Sequence, residues 1–260
     1  MKSPRARPLL FALILLLLEG CAHLSTEIAP PRPATFMDWL PALRERSEHW
    51  KTYQAKIQLR AATADKRLNL NAVILARLPD QFRLEAFRLG QTVGVLTIDH
   101  GQSSLLVPSE KTFYSSDESE VLIDRLFGIA IPLEAFGYSL SGSLPPDQLE
   151  SLQIISHDPE FMGYPKPSPD GWSFAWQFLS SPQTIKSARV KQGARAYTIQ
   201  YDPPVGLAVK DVPQKITFAS SQWQIDVTVQ EITPDPDLQD SVFHTNVVGQ
   251  IRNVKLNRIE

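Results

Sequence analysis

A strict alternation of apolar and polar residues is the feature of this sequence that most limits its fold. Every second residue is apolar in two successive runs: first Tyr53, Ala55, Ile57, Leu59 and Ala61, then Leu68, Leu70, Ala72, Ile74, Ala76 and Leu78. Successive side chains of a β-strand point to opposite faces of a sheet, so each run predicts a strand with one buried and one solvated face.

The same pattern predicts a mainly antiparallel β protein. Further alternating runs cover residues 82–87, 93–99, 103–107 and 112–115 and, after a Pro-rich stretch at 158–170, residues 172–179, 184–191, 194–201, 214–220 and 223–232. The early runs are separated by short turn sequences such as His100-Gly101-Gln102. Parallel strands would need long crossover connections, so short turns favour an antiparallel meander.

Three short helices are predicted around these strands. The first covers residues 36–49, where apolar residues recur at helical spacing after a Thr35-x-x-Asp38 capping pattern. A second is expected within 117–127, and Pro132 is expected to begin a third. The fold class is therefore α+β with antiparallel sheet dominant.

The N-terminal residues are typical of a bacterial lipoprotein signal. Three basic residues precede an apolar run from Leu9 to Leu18, which is shorter than the roughly 20 residues that cross a bilayer. Residues 1–20 are therefore predicted to be a signal peptide. The segment Leu18-Glu19-Gly20-Cys21 resembles the lipobox, whose Cys is diacylglycerylated and becomes the first residue after cleavage, and Cys21 is the one Cys of the chain.

The residues after Cys21 predict how the mature protein is attached to a membrane. Residues 21–34 are expected to form a flexible tether, because they contain three prolines and no periodic apolar pattern. In lipoprotein sorting as known for such families, Asp directly after the lipidated Cys signals inner-membrane retention. Ala22 stands there instead, which favours lipid-anchored attachment to the outer membrane, facing the periplasm of a Gram-negative bacterium.

Composition and motifs argue against several function classes. A net charge of −2 and a single Cys give no general attraction to nucleic acid and no thiolate metal cluster. The five His residues are scattered, and the chain has neither a glycine-rich phosphate loop nor a nucleophile elbow at a strand-to-helix turn. We therefore predict no catalytic residues, no metal site, no cofactor and no nucleic-acid partner; the one covalent modification expected is acylation of Cys21.

One strand face is unusually rich in aromatic residues. Trp172, Phe174, Trp176 and Phe178 alternate with smaller or polar residues and so share a face. This face is either part of a filled sheet core or the lining of a cavity for an apolar ligand. Both alternatives need the same dry face, and the sequence leaves them open.

Two segments resemble the lipoprotein-localisation (LolA–LolB-like) family, and in particular its outer-membrane receptor group. Residues Phe87-Arg88-Leu89-Gly90-Gln91-Thr92 lie between two predicted strands, where the family has a loop with a protruding Leu. Residues 117–142 match the family's helix, its Gly and Ile-Pro-Leu turn, and its closing Gly. The chain departs from the family at Arg88, where the family has Pro, which identifies it as a divergent member.

The resemblance implies an incomplete β-barrel, over residues 35–232, that wraps round an apolar cavity with helices as a lid; residues 233–260 would be a C-terminal extension. It implies a monomer that receives acylated lipoproteins from a soluble LolA-like periplasmic carrier and inserts them into outer-membrane lipid. Leu89 and Gly90 would form the membrane-inserting loop. The acyl-chain cavity would be lined by Ile57, Leu59, Leu70, Ile74, Leu84, Leu122, Leu126, Phe136, Trp172, Phe174, Trp176 and Phe178.

Two non-enzymatic alternatives remain at this point. The chain could be a lipoprotein of the same fold that binds free lipid or glycolipid in another envelope pathway. It could also be an envelope scaffold whose sheet core is filled and whose residues 234–260 dock a partner.

Overall fold

A computed structural model describes residues 39–256, except for residues 119, 123, 125–130, 158, 159, 170, 181, 182 and 246–248. The predictions for the signal peptide, Cys21, the tether and Leu126 fall outside the described residues.

Fourteen strands make up most of the described chain. They are β1 (Thr52–Thr63), β2 (Arg67–Arg77), β3 (Gln81–Arg88), β4 (Gln91–Asp99), β5 (Gln102–Val107), β6 (Thr112–Ser116), β7 (Gln153–His157), β8 (Glu160–Tyr164), β9 (Ser173–Leu179), β10 (Thr184–Gln192), β11 (Arg195–Gly206), β12 (Lys215–Ala219), β13 (Trp223–Pro234) and β14 (Arg252–Lys255). Three α-helices consist throughout of described residues: α1 (Leu40–His49), α2 (Leu133–Ser141) and α3 (Pro146–Glu150). Residues 120–122 and 124 are also helical, within the segment where a second helix was predicted. Short 3-10 turns lie at Pro108–Glu110 and Asp240–Phe243.

All the strands belong to one open sheet. Its order is β14-β6-β5-β4-β3-β2-β1-β13-β12-β11-β10-β9-β8-β7, and every pair is antiparallel except β14 with β6. Two meanders, β1–β6 and β7–β13, therefore meet along the β1–β13 pair. The predicted fold class, a mainly antiparallel incomplete barrel with helices against one face, is confirmed.

The structure corrects the prediction for the Pro-rich stretch at 158–170. Part of that stretch is strand β8, which pairs with β9, and β7 precedes it at the sheet edge. The alternating signal of β8 is only five residues long and ends where Pro165 follows Tyr164. A short strand beside prolines has too few alternating positions for its period to stand out.

Helix α2 lies against the face of the sheet that carries the buried apolar side chains, which we call the inner face. It lies where the two meanders meet. Phe136 contacts Phe82 of β3 and Phe218 of β12, with ring centroids 6.1 and 5.3 Å apart. The Tyr53 hydroxyl of β1 donates a 2.7 Å hydrogen bond to the Gly137 carbonyl. Burial raises the pKa of Tyr53 far above its ordinary value, so the hydroxyl keeps its proton and remains a donor.

A fully buried arginine of α1 holds the end of α2. Arg46 Nε donates to the Gly142 carbonyl at 2.7 Å, and Nη1 donates to the Ala208 carbonyl at 2.6 Å; Nη2 bonds the carbonyls of Ser141 and Asp211. Burial lowers the pKa of Arg46 to about 10, so the guanidinium stays charged at neutral pH. The charge faces the carbonyl end of α2, where a cation is favoured.

The segment from Asp235 to Lys255, which we call the C-terminal segment, crosses the face of the first meander that is opposite α2; we call this the outer face. Phe243 is buried to 1% exposure, with the Arg77 guanidinium 5.4 Å from its ring centre. Arg77 also pairs with Asp240 at 2.6 Å, and Arg83 donates to the Val242 carbonyl at 3.2 Å. After this contact, β14 pairs with β6 and becomes the last strand of the sheet.

Candidate functional site

An apolar cavity of about 380 Å³ lies between α2 and the inner face of the first meander. Its lining is Leu59, Ala61, Leu68, Leu70, Phe82, Leu84, Ala86, Val93, Gly94, Leu96, Leu105, Val107, Glu110, Tyr114, Ile131, Phe136 and Ile225. This volume falls within the range of about 300–1,000 Å³ that is usual for small-molecule sites. Glu110 is the one charged residue of that lining.

The alternating sequence builds this cavity directly. Inward positions of neighbouring strands lie side by side across the sheet: Leu59 pairs with Leu70, and Ala86 pairs with Gly94. The larger side chains supply apolar walls, whereas Ala86 and Gly94 leave space between them. The result is an apolar surface that can shield a hydrocarbon ligand from water.

The cavity reaches the end of the sheet where β1 ends and β2 begins, and we call this part of the cavity its mouth. Ala61, Leu68 and Leu70 line both the cavity and a second, outer groove of about 570 Å³. Leu68 is 37% exposed, which places it at the mouth between the two spaces. The outer groove is also lined by Leu89, so the mouth and the Leu89 loop lie at one end of the molecule.

Leu89 is the most unusual residue at this end. It is 96% exposed and adopts a left-handed φ of 51°, followed by Gly90 at 78°. Because both residues of this two-residue hairpin loop have positive φ, the turn belongs to type I′, which favours Asn-Gly. A bulky aliphatic residue here is unfavourable in backbone conformation and in solvation, and such strain often marks a functional position.

The predicted cavity residues separate into several places. Leu59, Leu70, Leu84 and Phe136 line the cavity. Ile57, Ile74 and Leu122 lie fully buried in the core, as do Trp176 and Phe178. Trp172 and Phe174 are also buried and border a different pocket of about 670 Å³ beside α2 and α3.

The aromatic face predicted on β9 packs mainly against the helices and neighbouring strands. Phe178 lies 6.1 Å from Trp39, which precedes α1, and Trp172 lies 6.0 Å from Tyr197. The Trp176 indole donates to the Gln148 side chain of α3 at 2.9 Å. The β9 aromatics are therefore packed against other side chains, and the pocket that Trp172 and Phe174 border has a mixed lining that includes charged residues such as Lys51 and Asp80. The mainly apolar cavity lies over the first meander.

Several cavity residues were not among the sequence-based candidates. They are Ala61, Leu68, Phe82, Ala86, Val93, Gly94, Leu96, Leu105, Val107, Glu110, Tyr114, Ile131 and Ile225. Most of them occupy inward positions of the predicted strands, so the period-two pattern could have identified them. Glu110 and Tyr114 carry no such signal; the Tyr114 hydroxyl donates to Glu110 at 2.9 Å, and this bond raises the pKa of Tyr114.

Two further properties bear on the site. Across the described ranges, no group of three or more His, Cys, Asp or Glu side chains is placed to hold a metal ion. In the same part of the chain, no helix is both long and apolar enough to cross a membrane.

Comparison with solved structures shows that the fold is LolA-like. A LolA superfamily protein from Nitrosomonas europaea matches with a TM-score of 0.53 and 15% identity, over 82% of this chain and 98% of that chain. A domain described as an outer membrane lipoprotein-sorting protein from Vibrio parahaemolyticus matches with a TM-score of 0.54 and 9% identity, over 80% and 95%. A DUF1329 family protein from Desulfovibrio piger gives 0.53 and 9%, over the same shares.

No protein-family model matches the sequence, and no curated protein sequence matches it significantly. The identities to the solved structures are low enough that the likeness concerns the fold, and it does not single out the outer-membrane receptor group.

Proposed function

We propose that this protein is an outer-membrane lipoprotein that takes up the acyl chains of other lipoproteins and releases them into the membrane. The observation that carries the proposal is the position of the apolar cavity, whose mouth shares a groove with the exposed Leu89. A binding site for hydrocarbon and an apolar tip thus lie at the same end of the sheet.

The transfer needs no bond chemistry. Burial of each methylene group in an apolar cavity is worth about 0.8 kcal/mol relative to water. A lipid bilayer offers a comparable environment, so an acyl chain can pass from cavity to membrane if the mouth lies against the membrane. The proposal therefore assigns no catalytic residue and no cofactor.

Leu89 and Gly90 form the membrane-contacting loop in this proposal. The Leu89 side chain is almost wholly exposed in water, and its insertion into the bilayer would remove that unfavourable contact. The type I′ turn holds it beyond the ends of β3 and β4, so it can reach the membrane before the rest of the sheet does.

Attachment to the membrane is assigned to Cys21. A single acyl chain anchors a protein only marginally, whereas two or more chains anchor it stably. The segment from Ala22 to residue 34 would then connect the anchor to the sheet. The proposed partners are acylated lipoproteins, a soluble LolA-like periplasmic carrier and outer-membrane lipid, with the protein acting as a monomer.

The uptake step is tested by filling the cavity. A Cβ added at Gly94 would meet its nearest neighbours, Leu105 Cδ1 and the Leu106 carbonyl oxygen, at 3.7 and 3.8 Å, which is ordinary contact. Gly94→Leu should therefore fold and place a side chain inside the cavity. Ala196→Leu is the matched control, because it introduces the same side chain at an exposed position of β11.

We expect Gly94→Leu to bind a fluorescent fatty acid at least tenfold more weakly than wild type, and to reduce transfer of an acylated lipoprotein from its carrier to vesicles. Ala196→Leu should behave as wild type in both assays. Normal fatty-acid binding by Gly94→Leu would exclude the cavity as the acyl site. Mass spectrometry of ligands bound to the purified protein distinguishes acylated protein from free lipid or glycolipid.

A further inference from the structure

The outer groove beside Leu89 is lined by three arginines. Arg60 lies on β1, Arg67 begins β2, and Arg88 ends β3 directly before Leu89. The remaining lining consists of amide and apolar side chains, with Asp226 as its one acidic residue. The groove thus has an excess of positive charge in a chain whose net charge is −2.

These arginines are available to an external anion. Among the described residues, none of the three belongs to an ion pair. Arg60 donates one long hydrogen bond, of 3.3 Å, to Gln58. Asp226 lies directly across from Arg60 in the β1–β13 register and accepts hydrogen bonds from Thr217 at 2.8 Å and from Gln224 at 3.1 Å. Its single negative charge offsets one of the three arginines, so the groove keeps an excess of positive charge.

Two other arginines of the same outer face show a different arrangement. Arg77 binds Asp240 and the Leu238 carbonyl, and Arg83 binds Glu85 and the Val242 carbonyl. The C-terminal segment therefore supplies oxygen ligands to Arg77 and Arg83. No described segment supplies oxygen ligands in that way to the three arginines at the Leu89 end.

We propose that Arg60, Arg67 and Arg88 form a docking surface for the anionic phospholipid headgroups of the membrane that Leu89 enters. The guanidinium group matches the oxygens of a phosphate in a bidentate geometry. An apolar tip flanked by cations fits the boundary between acyl chains and headgroups, where each group meets its preferred surroundings. A nucleic acid or an acidic protein would use the cations but would leave Leu89 in water.

This inference names the lipid surface for the loop proposed above and rests on that proposal. It adds a function for Arg88, at the position where the sequence departs from the family it resembles. The cavity mouth would be held against anionic lipid by charge, and Leu89 would supply the apolar contact.

The test compares binding to vesicles of phosphatidylcholine alone with binding to vesicles that also contain phosphatidylglycerol. The triple variant Arg60→Gln, Arg67→Gln, Arg88→Gln removes the charges. The matched control Arg189→Gln, Lys191→Gln, Lys215→Gln removes three exposed charges from the same outer face, on β10 and β12. Circular dichroism and urea denaturation confirm that both variants are folded.

Each basic residue near an anionic surface contributes about fivefold to binding, so the triple arginine variant should bind the anionic vesicles on the order of 100-fold more weakly. Its binding to phosphatidylcholine vesicles should not change, and the control variant should bind both like wild type. The preference of the wild-type protein for anionic vesicles should also fall at high salt.

Equal binding of the triple variant and wild type to anionic vesicles would overturn the inference. So would a variant that keeps full vesicle binding but loses delivery from the carrier, because the groove would then be a protein-docking surface. Failure of the proposed function would give a different result. Gly94→Leu would then bind the fatty acid as wild type does, independently of how the triple arginine variant binds vesicles.

Discussion

Replacement of Leu89 by Asn should make the protein more stable and less able to bind membranes. The backbone of Leu89 adopts the left-handed conformation, which is less favourable by about 1–2 kcal/mol for a residue that has a Cβ. Asn tolerates the same conformation and is preferred at this position of a type I′ turn. Because the side chain is 96% exposed, Asn breaks no packing contact of consequence.

The magnitudes of the two effects can be worked out separately. Asn is less strained than Leu in this left-handed conformation, so Leu89→Asn should raise the free energy of unfolding by about 1 kcal/mol. This corresponds to a Tm increase of about 2–4 °C in a chain of this size. Loss of a Leu side chain from the bilayer removes about 1.5–3 kcal/mol of membrane binding. Binding to phosphatidylcholine vesicles should therefore weaken by roughly 10- to 100-fold.

The sheet contains its own control for this experiment. His100 and Gly101 form a second two-residue turn with positive φ at both positions, between β4 and β5. His100→Asn should therefore change stability in the same direction without changing vesicle binding. The assays are urea denaturation and vesicle flotation of protein that lacks the proposed lipid anchor.

Either half of the result can refute the reasoning. If Leu89→Asn lowers the free energy of unfolding, Leu89 makes a stabilising contact and the strain argument fails. If Leu89→Asn binds neutral vesicles as wild type does, Leu89 is not the membrane tip. If His100→Asn also loses vesicle binding, the loss reflects the turn substitution in general.

Three more predictions concern the framework around the site. Arg46→Met should lower the free energy of unfolding by about 3–5 kcal/mol in urea denaturation, because four backbone carbonyls, two of them in buried hydrogen bonds, lose a charged donor; a loss below about 1 kcal/mol would show that water or other donors replace it. Phe243→Ala should remove about 3 kcal/mol of packing free energy that holds the C-terminal segment on the sheet. Proteolysis of that segment should therefore become faster, and an unchanged cleavage rate would contradict the prediction. Arg77 lowers the pKa of Asp240, so the Arg77–Asp240 contribution is present above the ordinary Asp pKa and is lost as pH falls through the lowered value; Asp240→Asn should remove that acid sensitivity, as measured by hydrogen exchange.

The strands could be predicted closely because each signal is local. Residues 53–61 alternate in sequence and occupy β1, and the turn at His100-Gly101 joins the two strands expected on either side. The direction in which each side chain points follows from the same alternation. The local signal failed for the short strands β7, β8 and β14, and for the last residues of β11, which follow the predicted end at residue 201 and include Pro203 and Pro204.

The composition of the cavity depends on longer-range information. Ile57 and Leu59 both point inward from β1, yet only Leu59 lines the cavity. The difference is set by helix α2, which covers part of the inner face and whose position depends on the contacts of Phe136. No pattern in β1 alone carries that information.

Arg46 shows a second limit of sequence reasoning. It lies among charged residues of α1 that are typical of a solvated helix face, but it is fully buried. Its partners are backbone carbonyls 95–165 residues away in the chain. Backbone carbonyls are present at every residue, so the sequence gives no sign of which ones will converge on a guanidinium.

The pairing of β1 with β13 has a consequence for how the protein is made. These strands are paired from Tyr53–Pro234 to Thr63–Trp223, so their partners lie more than 150 residues apart in the chain. Hairpins within each meander can form as soon as their own residues have been made, whereas β1 must wait for nearly the whole chain. Until then its free edge can pair with other unfinished chains. We therefore expect a holdase chaperone, or rapid synthesis of the last third of the chain, to determine the yield of folded protein.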